Sequence, residues 1–64
     1  MNTDDLLQWA KSVGAFIEIF GDGTAEVQMG PAFDRRIEGR TLPDAIKKAR
    51  AYHARWAHLW EGQR

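Results

Sequence analysis

Cysteine is absent from this 64-residue chain, proline occurs only twice, and serine and tyrosine once each. Without cysteine there is neither a disulfide scaffold nor a thiolate metal site, and a reducing cytoplasm is the expected compartment. No apolar run approaches the roughly 20 residues that a bilayer-crossing helix needs. The opening Met1-Asn2-Thr3-Asp4-Asp5 is acidic, unlike the positively charged start of a secretory leader. A net charge is missing as well, since nine Lys and Arg balance nine Asp and Glu.

What is present suffices for one small folded domain, expected to span residues 1–64. Hydrophobic residues make up 44% of the chain, which excludes a disordered segment. Nine of those 28 residues are Ala, so few large side chains do the packing. A chain of this size buries only about 60% of the surface exposed when unfolded, and its stability is expected to be marginal. Its seven aromatic residues, three of them Trp, therefore carry much of the core, because each can bury about 150–250 Å². Trp60, near the chain end, either joins that core or stands exposed as a partner-binding anchor.

The order of elements can be read from periodicity and punctuation. Thr3 or Asn2 caps a first helix with Asp4 and Asp5 in its opening turn. Leu6, Trp9, Ala10 and Val13 form its apolar stripe, and Gly14 ends it. Residues 15–20 alternate as a strand, and so do residues 24–29. If Ala15, Ile17 and Ile19 face inward with Ala25, Val27 and Met29, residue 19 pairs with 25 and residue 17 with 27. That register leaves the three-residue loop Gly21-Asp22-Gly23, with glycine at the position that favours a left-handed backbone. Gly30-Pro31 opens a second turn, and residues 33–38 form a third strand with Phe33 and Ile37 inward. Arg35 shares that face and is expected at an edge, with its head in water.

Thr41-Leu42-Pro43-Asp44 is an N-cap followed by proline in the first turn and a carboxylate at the third helical position. The helix it begins carries Leu42, Ala45, Ile46, Ala49, Tyr52, Trp56 and Leu59 on one stripe and ends near Gly62. The expected fold class is α+β, with the order α-β-β-β-α: a three-stranded antiparallel meander with both helices on one face.

This order, with Gly39-Arg40-Thr41-Leu42-Pro43-Asp44-Ala45-Ile46 leading into the last helix, resembles double-stranded-RNA-binding domains over nearly the whole chain. Those domains grip phosphates with lysines at this helix start. Thr41 and Ala45 match their pattern, but the lysine positions hold Leu42, Pro43 and Ile46, so the resemblance implies the fold without the RNA grip. Residues 16–49 are also similar to HicB-like antitoxin domains, through the Gly39-x-Thr41-Leu42-x-x-Ala45 pattern. The Pro-Asp-x-Pro-Gly stretch of those domains is reduced here to Gly30-Pro31. In size and style the chain looks like phage or prophage accessory proteins, anti-CRISPR proteins among them. That likeness implies a small inhibitor that binds a host protein complex.

Charge is polarised along the chain. Residues 1–33 hold five acids and one base, and residues 34–64 hold eight bases and four acids. Lys47, Lys48, Arg50 and Arg55 lie off the apolar stripe of the last helix, as a solvated face or as a strip for phosphates or an acidic surface. The outer sheet face is expected to carry Phe16, Glu18, Phe20, Glu26, Arg36 and Glu38, among others, and so to repel a nucleic-acid backbone. Glu18 should oppose Glu26. A second turn at residues 30–32 would set Arg36 across from Glu26 to neutralise it, and the face would then be an ion row or an acidic patch for a basic partner.

Catalysis has little basis in the sequence. Ser12 has no histidine nearby, and Gly21-Asp22-Gly23 is too short to be a phosphate loop. His53 and His58 are five residues apart, whereas metal pairs on one helix need three or four. His53 is expected as a half-buried wall residue and His58 at the surface. Neither a metal nor a cofactor is implied. The expected function is that of a non-catalytic interaction protein, an inhibitor or modulator of a host protein complex that acts by steric binding. Arg36, Lys47, Lys48, Arg50, Arg55 and Trp60 are the candidate contact residues. Nucleic-acid binding through the last helix is the alternative, and self-association through the third strand or the Trp-bearing end is a third reading.

Overall fold

The computed structural model describes residues 3–30 and 34–61, with side chains as far as residue 59. Helix α1 (Thr3–Ser12) precedes strands β1 (Phe16–Ile19), β2 (Ala25–Met29) and β3 (Arg35–Gly39), and helix α2 (Leu42–Glu61) follows. The strands form an antiparallel meander in the order β1-β2-β3, so the α-β-β-β-α architecture is the one read from the sequence.

Local chemistry accounts for each boundary. Asp4 and Asp5 sit in the first turn of α1, where carboxylates meet the unpaired N–H groups. At its other end the Ala15 N–H donates to the Ala10 carbonyl and the Gly14 N–H to the Lys11 carbonyl, a paired arrangement that closes the last turn. Between β1 and β2 the chain turns in three residues with Gly23 at φ 93°, and Asp22 Oδ1 accepts both the N–H (3.0 Å) and the hydroxyl (2.7 Å) of Thr24. At the start of α2, Thr41 Oγ1 accepts the Asp44 N–H at 3.2 Å. The Asp44 carboxylate in return accepts the Arg40 N–H at 3.0 Å.

The first hairpin has the register expected from alternation, with Ile17 opposite Val27 and Ile19 opposite Ala25. The second hairpin does not. Arg36 lies opposite Gln28, and Glu26 opposes Glu38, so β3 is displaced by two residues from the expected register. Five residues, 30–34, separate the paired ends rather than three. Because the displacement is even, every side chain stays on its expected face, and alternation cannot distinguish the two loops. The strands are also shorter than expected: Ala15, Phe20 and Asp34 fall outside them, and Phe33 lies outside the described residues.

The core joins Leu6 of α1, Ala25, Val27 and Met29 of β2, and Ala45, Ile46 and Ala49 of α2. Ile17 and Ile37 flank Val27 and pack against it half-buried. Gly39 is what brings α2 this close, because a methyl group there would overlap the backbone N and Cα of Ala45. Ile19, expected in this core, is 63% exposed. Helix α2 lies over β2 and β3 and α1 packs against α2, and neither helix makes more than marginal contact with β1. The α2 stripe likewise runs past the sheet, since a 20-residue helix is about 30 Å long, and Trp56 and Leu59 emerge exposed.

Candidate interaction surfaces

On the outer sheet face the registers bring three glutamates into line, Glu18 on β1, Glu26 on β2 and Glu38 on β3. Adjacent strands are about 4.8 Å apart, so this row places like charges side by side in the middle of the face. Glu26, on the central strand, is 7% exposed, and its Oε1 is buried without a hydrogen-bond partner. Arg36 reaches it diagonally from the neighbouring row, with Nε at 3.7 Å, an ion pair too long to be a hydrogen bond. The guanidinium thus approaches Glu26 as the sequence suggested, but not from directly opposite. The face remains three carboxylates against one largely exposed cation. Phe16 and Phe20 stand on either side of Glu18, 57% and 38% exposed.

The sheet's two edges differ in chemistry. β3 presents Arg35, Arg36 and Glu38, all exposed, and charges of this kind discourage pairing with another strand. β1 presents Phe16, Ile17, Glu18 and Ile19, followed by Phe20. The Phe20 N–H donates to the Thr24 carbonyl, so in an antiparallel ladder residues 16, 18 and 20 turn their backbone groups toward β2. The N–H and C=O of Ile17 and Ile19 then point away from the sheet. Among the described residues, an exposed apolar side chain and backbone groups without a strand partner coincide at Ile19.

The helical candidates do not form a single patch. Lys47 and Arg50 border a shallow groove of about 410 Å³ with Leu6, Ala51 and Ala54, along the seam of α1 and α2. Lys48 turns to the other side, ion-paired to Asp44 at 3.3 Å, and borders a second hollow of about 490 Å³ beside Asp22, Glu38 and Arg40. Arg55, two turns on from Lys48, packs over the Trp56 ring with its Cζ 5.4 Å from the centroid. Arg36 is on the opposite side of the sheet from all four. The Trp60 side chain lies outside the described residues. His53 meets the Trp9 ring edge-on at 5.6 Å as a half-buried wall residue, and His58 is exposed, both as expected.

Two carboxylates have shifted pKa values, and both are structural. The Thr24 hydroxyl, then its N–H, hold Asp22 below the ordinary 3.8. The Arg40 N–H, then Lys48, do the same for Asp44. Among the described residues no group of three or more His, Cys, Asp or Glu could hold a metal ion, and no helix is long and apolar enough to cross a membrane. The sequence places Glu18 opposite Glu26 on a face read as an ion row or an acidic patch, and the structure bears out that pairing, but the alignment of Glu38 with them depends on the second register. The exposure of Ile19 was missed because alternation assigns a face but not whether that face is covered.

No family model matches the chain, and no curated protein or solved structure matches it.

Proposed function

We propose that this protein works without catalysis, as a cytoplasmic phage-type inhibitor or modulator that sterically covers part of a host protein complex, in the manner of an anti-CRISPR protein. The observation that carries the reading is the β1 edge. Large apolar side chains are exposed there beside unpaired backbone groups, whereas the β3 edge is charged. An edge of this kind is a ready template for another chain. The resemblance to small phage accessory proteins supplies the biological setting.

The test is capture of partners from a bacterial lysate on the tagged protein, with and without nuclease. It is run on the native sequence, on Ile19→Lys, and on the double variant Lys47→Glu with Arg50→Glu. A protein partner that survives nuclease, persists with the helix variant and is lost with Ile19→Lys is the expected result. Recovery of nucleic acid alone, lost with the helix variant, would replace this reading by phosphate binding through α2.

A further inference from the structure

We infer that the β1 edge receives an extended, basic segment of a partner protein, which adds a fourth strand and sets an arginine or lysine beside Glu18. The inference rests on the interaction reading above and specifies the chemistry of the partner.

Two needs of the edge point to such an occupant. Ile17 and Ile19 offer outward N–H and C=O groups with apolar side chains on the inner face, which an added strand satisfies with its own backbone and alternate apolar residues. On the outer face, Glu18 ends the row Glu18–Glu26–Glu38, so the residue of a new strand opposite Glu18 extends that row. The cation of that face, Arg36, lies against Glu26 with its Nε at 3.7 Å, so among the described residues Glu18 at the edge has no cation of its own. A cation at the fourth position meets Glu18 across the strands, with the faces of Phe16 and Phe20 to either side.

A second copy of this chain is a poor occupant. Symmetric antiparallel pairing of two β1 strands runs about a two-fold axis perpendicular to the sheet, so the second outer face continues the first. The register that pairs most of the strand is centred on Glu18 and sets it against its own copy. Registers centred on Ile17 or Ile19 face Glu18 with Phe16 or Phe20, and each still brings a second acidic row to the same face. Nucleic acid is disfavoured for the same reason.

The test uses a blocked peptide of alternating Val and Arg, and counterparts with Gln or Glu in place of Arg, titrated into the isotope-labelled full chain at low salt. The Arg peptide is expected to bind at least tenfold more tightly than the Gln peptide and to slow amide exchange at Ile17 and Ile19. Glu18→Lys is expected to reverse the preference toward the Glu peptide. Equal binding of the Arg and Gln peptides, shifts confined to α2, or no binding would overturn the inference. So would dimerisation through β1 in sedimentation without peptide. If the peptides fail while Ile19→Lys still abolishes capture, only the partner's chemistry is wrong. If capture also survives Ile19→Lys, the interaction reading falls as well.

Discussion

At the scale of single residues, local hydrogen bonds stabilise this chain and its outer face gives some of that stability away. Thr41 and Asp44 satisfy donors at the start of α2, and Thr41→Ala should lower the free energy of unfolding by about 1 kcal/mol, read as a fall in the urea midpoint. Asp44 also sets a pH dependence. Its folded pKa is depressed below 3.8, so its contribution is complete above that value and is lost as pH falls through the lower folded one. The urea midpoint of the native protein should drop on acidification below 3.8, and the drop should be shallower in Asp44→Asn. Glu18 costs stability where the Thr41–Asp44 cap adds it, because it faces Glu26 across the strands. Glu18→Lys should stabilise the fold by about 0.2–1 kcal/mol in the same assay, even as it removes the preference for a basic partner. A rise in stability coupled to a loss of binding is the pattern of a row kept for recognition.

At the scale of elements, the seam between β3 and α2 is the most tightly specified junction. The spacing Gly39…Ala45 is a contact, and the alanines at 45 and 49 let the helix descend onto β2 and β3. Gly39→Ala would force the helix off the sheet at a cost of about 1–3 kcal/mol, a large share of a marginal stability. Thermal unfolding by circular dichroism would show it as a sharply lowered midpoint. β1 is the converse case, since Ile19→Lys at an exposed edge position should shift the same midpoint little, within about 0.5 kcal/mol. That difference allows the edge to be tested for binding without unfolding the protein.

At the scale of the whole molecule, the arrangement is lopsided. The two helices and the inner face of β2 make one small core with Ile17 and Ile37 half-buried against it, and Ile19 and the far end of α2 are left outside, with extents of 36 × 22 × 16 Å. Amide exchange should follow this distribution, slowest at Val27 in the centre of β2 and fastest among the strands at Ile17 and Ile19. Equal protection across all three strands would mean that β1 is covered in solution, and a concentration dependence of that protection would identify the cover as a second copy.

Much of this architecture was legible before any coordinates. The apolar stripes, the Gly14 stop, the three-residue loop with Gly23 and the Thr41 cap are local signals, and each acts through backbone geometry within a few residues. The first register followed from them because only one even offset fits a three-residue loop closed by glycine. The second register did not follow, since shifting β3 by two residues preserves every face and only the path through residues 30–34 selects between the two. The candidate site was correspondingly less legible. Four basic residues on one helix read as a strip, yet the positions of Asp44, Trp56 and α1 divide them among different surroundings. The sequence by itself determined which residues turn, cap and alternate, because those preferences are short-ranged. Only the tertiary structure decided that three glutamates stand in one row and that Ile19 is left outside the core. Both depend on which strands the helices cover, and long-range packing alone settles that.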